Sequence, residues 1–166
     1  LKEKLQLIGS DAVFSECRKY RYALWRRWKM EHPLILFIGL NPSTADETKN
    51  DPTIRRCINF AKDWGYGGVM IANLFAFRST SPEIMKQQKE PIGKENDLWI
   101  GKLADASQSV IAAWGNHGLF LNRYQKIEES LPAMKCLGLT QLKQPKHPLY
   151  LKQNTVPQDY PTTERS

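Results

Sequence analysis

The sequence is poor in the residues that build metal cages and covalent cross-links. Its 166 residues include three cysteines and three histidines. Cys17, Cys57 and Cys136 lie far apart and form no C-x-x-C pair, so neither a disulfide framework nor a zinc or iron–sulfur site is indicated. We expect three buried thiols in a protein of the reducing cytoplasm, and the chemistry considered below needs no metal or cofactor.

Long apolar runs and acidic residues are also scarce. No run approaches the roughly eighteen residues of a membrane helix, and residues 1–4 begin no secretory segment, so we expect a cytoplasmic protein without membrane contact. The 24 lysines and arginines outnumber 17 acidic residues, which gives a net charge of +7. Such a charge attracts polyanions and favours nucleic acid as the partner, although an ordinary basic surface is the simpler alternative.

The composition is that of one folded unit. Hydrophobic residues make up 41% and charged residues 25% of the chain, near the averages for soluble domains. A chain of 166 residues is long enough for one substantial core and short for two. We expect a single α/β domain over residues 1–152 and a flexible tail over residues 153–166.

Continuous apolar runs predict buried strands, because strands covered on both faces lack alternation. These runs span residues 34–40, 69–72, 110–113 and 134–139. Period-two alternation over residues 20–25 predicts a further strand at the sheet edge.

Helices are predicted between these strands. Asp51 and Ser81 each precede a proline and are suited to cap a helix. Two further helical patterns cover residues 94–106 and 120–131. The alternation of strands and helices predicts a three-layer αβα sandwich with a mostly parallel central sheet of about four strands.

Polar segments follow the four predicted strands. In chain order they are Gly39-Leu40-Asn41-Pro42-Ser43, Asn73, Trp114-Gly115 and His147-Pro148. The carboxyl ends of parallel strands meet at one edge of a sheet, where open α/β sheets bind their ligands. We therefore expect the four segments to line one crevice.

The order of these segments resembles the uracil-DNA glycosylase superfamily. There the first strand ends in Gly-x-Asp/Asn-Pro, the second in a base-reading Asn, the third often in Trp-Gly, and the fourth is followed by His-Pro. The resemblance implies a glycosylase-like fold, with Asn41 positioning a water, Asn73 reading a base and His147 assisting the leaving group. Longer segments, such as Leu-Asn-Pro-Ser-Thr-Ala-Asp and His-Pro-Leu-Tyr, resemble a bacterial and phage family known only as a domain of unknown function (DUF1643).

Asn41 stands where many glycosylases carry Asp. An amide can orient a water but cannot accept its proton, although the mismatch-type glycosylases also have Asn there. Asp46 and Asp51 follow in the same loop and could supply the carboxylate. The simpler alternatives are that Asn41 forms a turn, Asp51 caps a helix and Asn73 satisfies loop backbone.

Cations and aromatic rings provide further candidates for nucleotide binding. Guanidinium forks and hydroxyls suit phosphates, and the candidates are Arg55, Arg56, Arg78 and Ser43. Phe75 and Phe77 could stack on a base, and Trp114 could form a pocket wall or simply pack in the core. Residues 18–29 interleave cations with aromatic rings, which suits a single strand or a flipped nucleotide, or equally a basic edge strand.

These residues predict recognition of a nucleobase or nucleotide, within DNA, with hydrolysis of the N-glycosidic bond as a further step. The alternative is a nucleic-acid or nucleotide-binding module without catalysis. Whether the chain is an enzyme, and its oligomeric state, stay open at this point.

Overall fold

The computed structural model describes residues 5–161, which form a mixed α/β fold. The strands are β1 Ser10–Phe14, β2 Arg21–Arg27, β3 Leu34–Gly39, β4 Gly68–Asn73, β5 Ser109–Ala112, β6 Lys135–Cys136 and β7 Gln158–Asp159. The α-helices are α1 Pro52–Asp63, α2 Pro82–Lys86, α3 Asn96–Ala106 and α4 Arg123–Ser130. No helix within residues 5–161 is long and apolar enough to cross a bilayer.

The strands form one mixed sheet in the order β1-β2-β4-β3-β5-β6-β7. The pairs β4–β3, β3–β5 and β5–β6 are parallel, whereas β1–β2, β2–β4 and β6–β7 are antiparallel. The predicted α/β class is confirmed, but the sheet has seven strands where about four were expected, and it is mixed where a mostly parallel sheet was expected. Edge strand β7 has no apolar residue, and β1 has a run of only three, from Ala12 to Phe14, so neither has a hydrophobic pattern that predicts a strand.

Alternation along β3 separates two cores. Leu36 and Ile38 pack in a cluster that includes α3 and α4, whereas Ile35 and Phe37 pack in a second cluster with α1. Helices therefore cover both faces of the sheet. This explains why β3 reads as a continuous apolar run.

The predicted helix starts are confirmed at two caps. The Asp51 carboxylate accepts a hydrogen bond from the Ile54 amide at 2.9 Å, and Pro52 opens α1. Ser81 Oγ accepts from the Glu83 amide at 3.2 Å at the start of α2. Both caps satisfy amides that have no partner inside their helix.

Two predicted elements are shorter in the structure. The helix expected over residues 120–131 starts later, at Arg123, because Leu121 and Asn122 have φ of 56° and 52°. The strand expected over residues 134–139 is reduced to the two residues of β6, and Gly138 with φ of 120° turns the chain soon afterwards.

Strand β2 is not at the sheet edge, as its alternation suggested, but lies between β1 and β4. It pairs on both sides and is almost entirely buried. Cys57 and Cys136 are buried as expected, but Cys17, in the β1–β2 turn, is exposed.

The described part of the expected tail packs on the domain. Strand β7 pairs with β6, and Gln153 donates a hydrogen bond to Asp63 at 2.5 Å. Tyr160 is 4% exposed, donates to Glu128 at 2.6 Å and packs edge-on against Trp114. Residues 162–166 lie outside the described part of the chain.

We predict that Tyr160→Ala lowers the free energy of unfolding by about 3 kcal/mol, because it removes a buried aromatic ring. Urea denaturation followed by tryptophan fluorescence measures the change. Val156→Ala, at a residue 69% exposed, is the control and should change stability little. Equal stability of both variants would contradict the packing described above.

Candidate functional site

The loops after β3 and β4 are joined by backbone hydrogen bonds at the carboxyl edge of the sheet. Leu74 donates to the Gly39 carbonyl and Phe75 to the Leu40 carbonyl, both at 2.9 Å. At Gly39 a Cβ would lie 3.0 Å from Asn73 Nδ2, so glycine permits the close approach of the two strand ends. Two of the predicted segments are therefore neighbours.

Asn41 holds these loops together. Its Nδ2 donates to the carbonyls of Ser79 at 3.0 Å and Pro42 at 3.3 Å. The amide nitrogen is thus engaged in structure, and a water positioned by Asn41 would have to bind Oδ1 instead. The turn role and the water role are both compatible with this geometry.

Arg21, on β2, contacts the candidate residue Asn73, although the sequence placed it only among the cations of residues 18–29. Its side chain is 2% exposed, and its guanidinium donates to the Ala45 carbonyl at 3.2 Å and to Asn73 Oδ1 at 3.3 Å. Its buried Nε has no hydrogen-bond partner among residues 5–161. Burial lowers the pKa of Arg21 to about 10, so the group remains charged at neutral pH.

A β-bulge directs Arg21 towards the site. Phe14 pairs with Arg21 while Val13 pairs with Ala23, so Tyr22 is an extra residue in β2. Strict alternation would place Arg21 on the face of Ala23, but the bulge places it on the opposite face, beside Asp51. The signal in the sequence is a charge within an otherwise buried strand, since such a charge must find polar partners.

Asn73 is held through its backbone and through its side chain. Asn96 Nδ2 donates to the Asn73 carbonyl at 2.8 Å, and Arg123 Nε donates to the next carbonyl, of Leu74, at 2.8 Å. Because Arg21 can only donate, the Asn73 oxygen must face it, which directs Nδ2 towards Gly39. Among residues 5–161, Nδ2 has no acceptor and is the donor that Asn73 can offer to a ligand.

The two candidate carboxylates are both used by the loop. Asp51 is buried, caps α1 and accepts from the Ala45 amide at 3.4 Å. Asp46 accepts from the amides of Thr48 at 3.0 Å and Lys49 at 2.8 Å, and these bonds lower the pKa of Asp46. Neither acid is therefore placed as an unengaged general base.

His147 is half-buried in a defined protonation state. Its Nδ1 accepts from the Leu149 amide at 3.2 Å, so the proton of the neutral ring is on Nε2. Burial lowers the pKa of His147, and the nearby Asp51 carboxylate opposes this shift. At neutral pH the ring is a neutral Nε2–H donor.

The helix arginines serve the surrounding structure. Arg55 is exposed and donates to the Asn50 carbonyl at 3.2 Å. Arg56 donates to the Pro148 carbonyl at 3.4 Å and to Gln153 at 3.2 Å, so it supports the turn that carries His147. Both of these predicted phosphate contacts have an intramolecular role.

The two predicted aromatic contacts are buried in the core. Phe75 is 0% exposed and packs against Phe120. Trp114 is 1% exposed, and its Nε1 donates to Gln144 at 2.9 Å. Neither ring presents a face to a ligand, whereas Phe77, the rival stacking residue, is half-buried and lines a surface cleft.

This surface cleft, here called the basic cleft, has a volume of about 430 Å³. Its lining combines cations, hydroxyls and one aromatic ring: Arg18, Lys19, Ser43, Thr44, Phe77, Arg78, Ser79 and Thr80. It contains the predicted phosphate residues Ser43 and Arg78, beside the loop that Asn41 holds.

The cations of the basic cleft differ in how far they are neutralised. Arg18 forms a two-pronged ion pair with Glu47 at 2.8 Å, which lowers the pKa of Glu47 to about 2. Arg78 lies over the Phe14 ring at 4.7 Å and donates to the Arg18 carbonyl at 3.3 Å. Neither Arg78 nor Lys19 has an ion-pair partner within residues 5–161.

Arg21 and Asp51 link the basic cleft to His147. Arg78 acts on Arg21 as a like charge, Asp51 acts on Arg21 as an opposite charge, and Asp51 also acts on His147. The basic cleft and His147 are therefore both near the buried pair of charges formed by Arg21 and Asp51.

The loop over residues 43–50 is fixed by Arg26. This guanidinium donates to the carbonyls of Asp46 at 2.5 Å and Lys49 at 3.0 Å, and its Nε donates to Asn50 at 2.9 Å. Together with the bond from Arg21 to Ala45, these contacts hold the loop along its length.

Within the described residues, no three His, Cys, Asp or Glu side chains gather into a group that could hold a metal ion. The site offers hydrogen-bond donors and positive charge, which suit an anionic and polar ligand.

A family model described as a protein of unknown function (DUF1643) matches residues 21–149, which is more than half of the chain. No curated protein and no solved structure matches this chain.

We predict that Arg26→Met frees the loop. Amide hydrogens of Thr48 and Lys49 should exchange at least about tenfold faster, because hydrogen bonds from a charged donor contribute about 1.5–3 kcal/mol each. Hydrogen exchange monitored by NMR measures this. Arg27→Met is the matched control, since Arg27 donates instead to the carbonyls of Leu7 and Met30. Unchanged exchange in Arg26→Met would show that the loop is held by other contacts.

We predict that His147 makes stability depend on pH. The folded protein resists protonation of His147 and the unfolded chain does not, so stability should fall as pH decreases through about 6.5, the ordinary histidine pKa. His147→Asn keeps an acceptor for Leu149 but cannot titrate. Between pH 7.5 and 5.5, thermal denaturation should show a larger loss for the wild type; equal losses would contradict the prediction.

Proposed function

The chain belongs to the DUF1643 family of proteins of unknown function, and we propose that it recognises a nucleobase or nucleotide, within DNA, in the crevice at the carboxyl ends of β3 and β4. The lining of the basic cleft carries this proposal. Lys19 and Arg78 have no acidic partner within residues 5–161, and four hydroxyl-bearing side chains lie beside them. Phosphate oxygens match both kinds of donor.

In this proposal the base is recognised by the neighbouring polar cluster. Asn73 Nδ2 and His147 Nε2–H are donors for carbonyl oxygens or ring nitrogens of a base. Phe77, half-buried in the cleft, can stack on the ring face. The glycosylase-like fold belongs to the same proposal, and the parallel β4, β3 and β5 with Asn73 close to Gly39 support it.

Hydrolysis of the N-glycosidic bond is a second candidate, favoured by the neutral state of His147. In this reaction water adds to the sugar carbon, the bond to the base breaks, and the base leaves with the bonding electrons and takes up, through solvent, the proton that the added water releases. Nε2–H would stabilise the charge that develops on the departing base. Because Asp46 and Asp51 are engaged, the reaction would rely on this stabilisation more than on a general base.

Binding and base release are tested with single- and double-stranded oligonucleotides that contain uracil, modified pyrimidines or mismatches. We predict that Arg78→Gln weakens binding roughly tenfold in fluorescence anisotropy, because a charge-assisted contact is lost. Arg55→Gln removes the same charge outside the cleft and should bind like the wild type. Equal affinities of the two variants would contradict the proposed phosphate site.

Mass spectrometry of the same mixtures detects released base. Release that disappears in His147→Asn while affinity is kept would establish the glycosylase reaction. Intact oligonucleotides despite binding would leave the chain as a binding module.

A further inference from the structure

A second cleft continues the basic cleft along the surface. It has a volume of about 330 Å³ and is lined by Lys19, Tyr20, Phe77, Gln88, Lys89 and Glu90. Lys19 and Phe77 line both clefts. The two clefts are therefore neighbours and are together called the groove, which reaches Glu90 in the segment before α3.

The backbone on either side of this groove is firmly paired. Tyr20 and Phe77 form an isolated antiparallel bridge, and Arg78 donates to the Lys19 carbonyl at 2.9 Å. Tyr20 Oη donates to the Glu90 carbonyl at 2.7 Å, which attaches the far side of the second cleft. The groove is thus built from segments that are fixed relative to one another.

Two aromatic rings of the groove are held in place. Tyr20 and Phe77 lie edge to face, with centroids 5.7 Å apart and planes at 80°. Tyr20 also stacks on Tyr22, with centroids 6.3 Å apart. Both groove rings are half-buried, so each has one part packed and another part open to the groove.

The charge of the groove is positive. Lys19, Lys89 and Arg78 have no ion-pair partner among residues 5–161, and Arg18 is balanced by Glu47. Glu90 is the acidic residue in the lining of the two clefts. Cations spaced around fixed aromatic rings match a strand whose phosphates and unpaired bases alternate.

From this arrangement we propose that the groove binds the single-stranded nucleic acid that flanks the recognised nucleotide. The inference rests on the proposed function and adds the strand state of the substrate. A duplex hides the faces of its bases, so the rings could not stack on them. Sequence preference is expected to be weak, because stacking and phosphate contacts read no base edges.

The test uses fluorescein-labelled 12-nucleotide DNA and RNA single strands of mixed sequence, and the matching DNA duplex. We expect the better of the two single strands to bind at least tenfold more tightly than the duplex. Lys19→Gln with Lys89→Gln should weaken single-strand binding and reduce the slope of log affinity against log salt by about 1.4, or about 0.7 for each phosphate contact. Lys102→Gln with Lys126→Gln, which line neither cleft, is the control for net charge.

Tyr20 gives a second, charge-independent variant pair. Tyr20→Phe and Tyr20→Leu both lose the hydroxyl that donates to the Glu90 carbonyl, and only Tyr20→Phe keeps the ring. Tyr20→Leu should therefore bind about tenfold more weakly than Tyr20→Phe, with the same salt slope. Circular dichroism checks that each variant is folded. Equal binding of single strand and duplex, or equal affinities of the two lysine double variants, would overturn the proposal. Equally strong competition by polyglutamate would also overturn it, because a simple polyanion site would then suffice.

Binding of a mononucleotide by calorimetry separates this proposal from the previous one. If Arg78→Gln abolishes mononucleotide binding while Lys89→Gln, at a residue that lines only the second cleft, keeps it, the nucleotide-binding crevice is supported and the groove is tested by the oligonucleotides alone. If no mononucleotide binds but single-strand binding depends on Lys19 and Lys89, the proposal of a single-strand groove is supported and the proposal of a nucleotide-binding crevice is contradicted.

Discussion

The buried guanidinium of Arg21 connects three parts of the chain that lie far apart in the sequence. It joins β2 to the loop at Ala45 and to the end of β4 at Asn73. Removing a charge from water is costly, and the Asp51 carboxylate and the two oxygen acceptors offset that cost. The orientation of Asn73 and the position of the loop at Ala45 both depend on this group.

The polar groups around Arg21 fall into two classes according to how they are used. The first class forms hydrogen bonds with backbone groups of the neighbouring loops and helix, and its members are Asn41, Asp46, Asp51 and Arg56. Asn73 Nδ2 and His147 Nε2–H, together with Lys19 and Arg78, keep donors or charge available. A site that offers donors and cations but few acceptors is selective for ligands rich in acceptors, as phosphates and base carbonyls are.

Much of the fold could be predicted because its central strands and helix caps follow from short sequence patterns. The run that forms β3 and the Asp51-Pro52 start of α1 required no tertiary information. Strands β1 and β7 escaped prediction because pairing to a neighbour, and not hydrophobic pattern, defines them. The site could be predicted in part for the same reason: strand ends located Asn41 and Asn73, but a bulge, which no local pattern announces, brought in Arg21.

The loop fixed by Arg26 has a kinetic consequence. In the proposed function, a ligand that enters the crevice would meet a loop that is already held, so binding would require no closing step and no ordering of residues 43–50. Association would then proceed at the rate of a guided encounter with a positive surface, similar for all ligands of like charge. The affinities of such ligands would then differ mainly through their dissociation rates.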